Sequence, residues 1–119
     1  MYLHTPSNPC VLITERKKNT YFPPNLSRME YFELCDQFSP ETNSGLSVLQ
    51  NALLKRAAEA VRRIWIIRDE KPPLQALSSQ GIVGEDLWNK VLVAEEELQQ
   101  EVSEVCLLGF GYYNQVLRS

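Results

Sequence analysis

The sequence predicts an all-α protein: a small helical domain with a long antiparallel helix pair, a short connecting helix, and a mostly irregular N-terminal arm rich in proline and aromatic residues. Three observations carry this expectation. Apolar residues recur at helical spacing over two stretches, about 46–68 and about 84–106. Helix-breaking residues, Pro72-Pro73, Gly81 and Gly84, lie between them. Five of the seven prolines fall in the first 43 residues, interleaved with Tyr2, Tyr21, Phe22, Tyr31, Phe32 and Phe38.

Residues 1–43 read as an extended partner-binding arm. Each proline removes a backbone donor and biases the residue before it toward extended conformations. Disordered segments are poor in aromatics, so this composition fits an arm laid on a surface, with one short helix around Arg28 to Cys35. Residues 44–119 read as the helical domain.

The first long helix is expected from about Leu46 to Arg68, with Ser44 or Ser47 as its cap. Leu46, Leu49, Leu53, Ala57, Ala60, Val61 and Ile64 form its stripe, widened by Val48, Ala52, Leu54, Ile66 and Ile67. Lys71-Pro72 should end it. Pro72 and Pro73 suit the first turn of a short helix whose apolar residues are Leu74 and Leu77. Gly81 is its expected stop, and Ile82 and Val83 plug the connector into the core. The second long helix should start at Gly84 or Glu85, where Glu85 and Asp86 suit the positive end of the dipole, and reach Cys106. Leu87, Val91, Ala94, Leu98, Val102 and Val105 mark its buried face, with Trp88 and Leu92 beside them. Gly109 and Gly111 interrupt the pattern, and Tyr112 to Leu117 resume it as a short final helix.

Charge separates the two helices. Residues 46–68 hold five basic side chains against one acidic, and residues 84–106 hold one basic against seven acidic. Opposite signs favour antiparallel pairing. Exposed ion pairs contribute only about 0–1 kcal/mol each, so the apolar stripes should supply most of the stability.

Composition excludes several classes. A chain of 119 residues with 44% hydrophobic and 23% charged residues is one small globular unit. A net charge of −3 and a pI near 5.2 disfavour a dedicated nucleic-acid binder. Cys10, Cys35 and Cys106 are widely spaced, which argues against a disulfide framework or zinc site and fits a reducing compartment. No apolar run approaches the roughly 18 residues of a spanning helix.

Candidate chemistry is sparse. His4, the sole histidine, has no partner nearby in sequence for base or ligand duty. Glu95-Glu96-Glu97 with Glu101 lacks the histidines of a di-iron bundle and reads as a solvated acidic face. Gly81-Ile82-Val83-Gly84 lacks the Gly-Lys-Ser/Thr ending of a phosphate loop. Asn25-Leu26-Ser27 matches a glycosylation acceptor by chance more readily than by use. Arg56, Arg62, Arg63 and Arg68 leave one alternative function, a small helical nucleic-acid-binding module using the helix 46–68. No catalytic residue, cofactor or metal is expected. Trp65 and Trp88 are expected as core anchors, with Gly81 and Gly84 as structural positions. Tyr21, Phe22, Pro23, Pro24, Tyr31, Phe32 and Leu34 are expected outside the helical core, as anchors for a partner.

One stretch resembles a known family. Ala52, Leu53, Leu54, Arg56, Ala58, Glu59, Arg62 and Arg63, followed by Gly81, Gly84, Glu85, Asp86 and Trp88, are similar to the single-span glycoprotein subunit of the fungal Sec complex for post-translational translocation into the endoplasmic reticulum. The similarity covers about residues 46–106, and Tyr21 to Pro24 and Tyr31 resemble that family's arm. Leu108-Gly109-Phe110-Gly111 departs from its usual Pro-Gly-Trp-Gly-like turn, and its lumenal tail and membrane span have no counterpart here. The resemblance implies a non-enzymatic adaptor at the cytosolic face of the endoplasmic reticulum membrane, with membrane anchoring in the full-length protein. It also implies partners: a tetratricopeptide-repeat subunit, a large J-domain subunit beside it and, indirectly, Hsp70, with no nucleic acid.

Overall fold

The computed structural model describes residues 20–118, and all three regular elements in that span are helices. His4, Cys10 and the first part of the arm lie outside the described residues. Helix α1 spans Leu26–Gln37, α2 spans Asn43–Ser79 and α3 spans Glu85–Arg118.

Each helix start has a local cause. The Asn25 side chain accepts from the Arg28 amide at 3.1 Å and caps α1. That gives Asn25 a structural use unrelated to glycosylation. Thr42, rather than Ser44 or Ser47, caps α2 by accepting from the Gly45 amide at 3.0 Å. Gly45 is buried because the turn before α2 folds back onto it. A Cβ there would collide with the Ser39 carbonyl oxygen and stand 2.6 Å from Thr42 Oγ1.

Two expected breaks do not occur. Pro72 and Pro73 lie inside α2, so the short connecting helix is a continuation of the first long one. A proline in a helix leaves the carbonyl four residues earlier without a donor. Here those carbonyls belong to Arg68 and Asp69, which are exposed, so water can take the place of the lost amides. α3 likewise runs through Gly109 and Gly111, each costing about 1 kcal/mol relative to alanine. Packing offsets this, since Val105, Leu108 and Tyr112 on the same face pack against Tyr31, Leu49, Ala52 and Leu53. Gly81 does end α2. It adopts φ +75, its amide bonds the Ser78 carbonyl, and the Ile82 amide bonds the Leu77 carbonyl at 2.9 Å. This is the Schellman arrangement.

α2 and α3 form the antiparallel pair. On α3 the facing residues are Val91, Ala94, Leu98, Glu101, Val105, Leu108 and Tyr112, an unbroken alternation of three- and four-residue steps. On α2 Leu49, Leu53, Arg56, Ala60, Arg63 and Ile67 follow the same rhythm. Two apolar clusters result, one at Leu49, Ala52, Leu53 and Tyr31, the other at Ala60, Ile67, Val91, Ala94 and Leu98. α1 packs along α2, and the Cα envelope measures 57 × 39 × 15 Å, a single layer of helices.

The tryptophans are not core anchors. Trp65 is 57% exposed and Trp88 only half-buried. In the run Ile64 to Ile67, successive residues turn by about 100°. Only Ile67 reaches the seam, and Trp65, two residues earlier, points away from it.

Gly45→Ala tests the turn before α2. Alanine has the better helix propensity by about 1 kcal/mol. The clash is with backbone, which no rotamer relieves, so a net loss of about 1–3 kcal/mol is expected in urea unfolding. A raised urea midpoint would show that the Ser39–Thr42 turn yields freely.

Candidate functional site

The arm, α2 and α3 meet at Arg56, whose side chain is fully buried. Its Nε donates to Glu101 Oε2 at 3.0 Å and its Nη2 to Glu101 Oε1 at 2.7 Å, a bidentate pair. Glu104 Oε2 stands 3.4 Å from the same Nη2. The guanidinium also faces the rings of Tyr31 at 5.0 Å and Phe32 at 5.3 Å. Its Nη1 has no hydrogen-bond partner. Burial alone would lower the Arg56 pKa; Glu101, with Glu104 behind it, more than offsets that, and the net shift is upward. Arg28 of α1 joins from outside, 3.6 Å from Glu101 and 3.4 Å from Glu104, with its guanidinium over Phe32. Tyr31 completes the junction by a hydroxyl contact with Tyr112. Its own pKa is raised by burial and by that bond.

Two turns along α2, Arg63 repeats the device. Its Nε donates to Glu59 at 2.6 Å, its Nη2 to the Pro23 carbonyl at 2.9 Å, and it lies over the Phe22 ring at 4.8 Å. Prolines lack an amide but keep a strong carbonyl acceptor, so an arginine can fasten a proline-rich strand directly. Arg62 also grips Glu59 in bidentate fashion. The bond from Arg62, followed by those from Arg63, holds the Glu59 carboxyl at about 2 against the opposing effect of burial. Tyr21 bonds Glu70, and burial together with that carboxylate pushes its phenol to about 12.

The residues expected to anchor a partner are therefore distributed differently from the sequence expectation. Tyr31 is 2% exposed and belongs to the core. Tyr21 and Phe22 are half-buried and pack on the Ala60–Leu98 cluster, and Leu34 packs on the other cluster. Pro24 is half-buried; Pro23 and Phe32 remain exposed. The arm from Thr20 onward lies on its own domain because Arg56 and Arg63 supply flat cations for its rings and Arg63 donates to the Pro23 and Pro24 carbonyls. Sequence reasoning missed Arg56, Arg63 and Glu101 as core residues. Their signal was the heptad rhythm, in which they occupy positions otherwise filled by Leu, Ala, Ile and Val.

Two grooves flank the hairpin. One, of about 430 Å³, runs between residues 20–25 and the acidic side of α3, past Asp86, Glu97 and Glu104. The other, of about 670 Å³, lies between α2 and α3 with none of residues 20–43 in its walls and with Ile64, Ile67, Leu98 and Val102 as its apolar lining. Among the described residues no group of three His, Cys, Asp or Glu could hold a metal ion, and no helix is long and apolar enough to cross a membrane. Of the four arginines that phosphate binding would use, three are engaged, Arg56 with Glu101 and Arg62 and Arg63 with Glu59, and Arg68 is exposed beside Asp69.

Removing one half of the buried pair leaves the other charge stranded. Glu101→Leu or Arg56→Leu should each cost about 3–5 kcal/mol in urea unfolding, while the double leucine variant should recover most of the loss. Additive losses would refute the coupling. Glu59 predicts a pH effect. Its folded pKa, about 2, lies below the ordinary value of 4.5, so its stabilisation is present above pH 4.5 and fades as pH falls toward 2. Glu59→Gln should flatten the fall in melting temperature over that window relative to wild type.

Comparison with known proteins identifies a family. The family model described as preprotein translocase subunit Sec66 matches residues 12–107. The translocation protein sec66 of Schizosaccharomyces pombe is 31% identical over 85 residues, 71% of this chain and 43% of that protein. The chain thus spans less than half of that relative's length. No solved structure matches. A matched segment that begins in the arm and continues through the Arg56 junction to Leu107 of α3 places the chain in the preprotein translocase subunit Sec66 family.

Proposed function

We propose that this chain is a non-enzymatic adaptor of the post-translational protein translocation complex at the endoplasmic reticulum. In this reading it holds a tetratricopeptide-repeat subunit, which receives Hsp70-bound precursors, beside the large J-domain subunit on the cytosolic face of the membrane. Membership of the Sec66 family over residues 12–107 is the observation that carries the reading.

The surface supports it. Leu54, Trp65, Leu107, Phe110 and Leu117 are each more than half exposed, an apolar surface that a single layer of helices cannot cover by itself. Phe32 and Pro23 add the arm's outer edge to that surface, while Tyr31, Tyr21, Phe22, Pro24 and Leu34 act from beneath by keeping the arm in place. A permanent pair of this kind buries roughly 2,000 Å² or more.

Co-expression with the tetratricopeptide-repeat subunit, followed by size-exclusion chromatography with light scattering, tests the proposal. A stable one-to-one complex is expected. Separate elution of a folded monomer and the repeat subunit would overturn it.

A further inference from the structure

The hairpin holds residues 21–24 as it would hold a peptide. Glu70 accepts from the Tyr21 hydroxyl, and Arg63 lies over the Phe22 ring. The same guanidinium donates through Nη2 to the carbonyls of Pro23 at 2.9 Å and Pro24 at 3.4 Å. The two rings meet edge to face at 5.2 Å and pack on Ala60, Ile67, Val91, Ala94 and Leu98. These receiving groups all belong to α2 and α3, and their positions are set within the hairpin. Arg63 is oriented by its 2.6 Å bond to Glu59, which Arg62 grips as well, and the apolar cluster forms between the two helices.

The contacts use features that any segment with two aromatic residues before two prolines presents. Proline presets an extended backbone and keeps a carbonyl acceptor. A guanidinium offers a flat face to a ring and a fork of donors to carbonyls. The Thr20 hydroxyl donates to the Phe22 carbonyl at 2.6 Å, a bend that belongs to the segment itself.

We propose that this side of the hairpin is a receptor for proline-rich segments, with residues 20–24 as its internal occupant, and that an extended aromatic-aromatic-Pro-Pro segment of another protein exchanges with them. The proposal goes beyond the adaptor reading and stands without it. Covalent attachment favours the arm, because a tethered ligand acts at an effective concentration of about millimolar. A competing segment must therefore be concentrated near the seat by a second contact of its own protein. The arm is thus an autoinhibitor that sets the threshold for exchange.

The test titrates the whole chain with a fluorescein-labelled peptide of residues 20–26 and follows its anisotropy, with circular dichroism alongside. Tyr21→Ala with Phe22→Ala removes both rings from the seat and leaves Glu70, Arg63 and the cluster intact. This double variant should bind the peptide about 10-fold or more tightly than wild type does. Adding Arg63→Leu to it should weaken binding by about 10-fold or more, and Arg63→Lys should weaken it too, since an ammonium has neither the fork nor the flat face. A peptide with both prolines replaced by alanine should bind less tightly than its parent. Tyr21→Phe, which keeps every ring, should fall between wild type and the double variant, and it decides the matter if the double variant loses helicity. No binding to either variant, or the same affinity in both as in wild type, would refute the proposal. A concentration-dependent dimer of the wild-type chain that the double variant abolishes would assign the exchange to a second copy's arm and overturn it as well.

Discussion

The buried guanidinium of Arg56 is the constraint from which the rest of the molecule follows. Moving a charge out of water costs several kcal/mol, and the cost is met only where a carboxylate and aromatic faces surround it. Here the carboxylate comes from α3, the rings from α1 and the arginine from α2. All three elements thus contribute to the surroundings of one group. The apolar clusters on either side could slide by a turn at modest cost, because Leu, Ala, Ile and Val tolerate repacking. A bidentate pair does not tolerate it, so Arg56 with Glu101 sets the register in which Leu49 and Ile67 find their neighbours. The pair thus acts through specificity more than through net stability.

The same chemistry explains the arm. A proline-rich strand cannot join a sheet and has few donors to offer a helix, but its carbonyls and rings suit arginine. Arg63 uses both, bonding Pro23 and lying over Phe22. Two of the four α2 arginines, Arg56 and Arg63, are thereby turned inward, and Glu101 of the acidic α3 is used in the seam. What remains outside is the reverse of the usual arrangement: several charges lie between the helices, and a row of apolar residues faces water.

The helical class, the antiparallel pair, α1 and the stop at Gly81 were legible from periodicity and glycine placement, because each depends on local rules. The proline pair and the two late glycines were not, because continuity there is decided by tertiary packing and by solvent access to the carbonyls of Arg68 and Asp69. Trp65 lies outside the core that was expected for it. Helical phase sends it outward, and phase was available in the sequence. Arg56 and Glu101 were hidden by the assumption that charges lie outside the stripe. The family resemblance named the right subunit from Arg56, Arg62, Arg63, Gly81, Gly84 and Trp88, yet it gave no hint that two of those arginines hold the chain's own arm.

The proline pair in α2 also divides the molecule by its dynamics. Two successive amides are missing from the helical ladder at Pro72 and Pro73, and beyond them α2 contributes only Leu74, Leu77 and Ser78 as half-buried side chains. The ladder on the Arg56 side is continuous and anchored on three elements. Opening the hairpin tip, from Pro72 to the first turn of α3, breaks few contacts and leaves the Arg56 junction in place. Amide exchange should therefore be graded along α2, slow around Arg56 and fast past Pro73, so that the tip breathes as a small cooperative unit while the body stays closed.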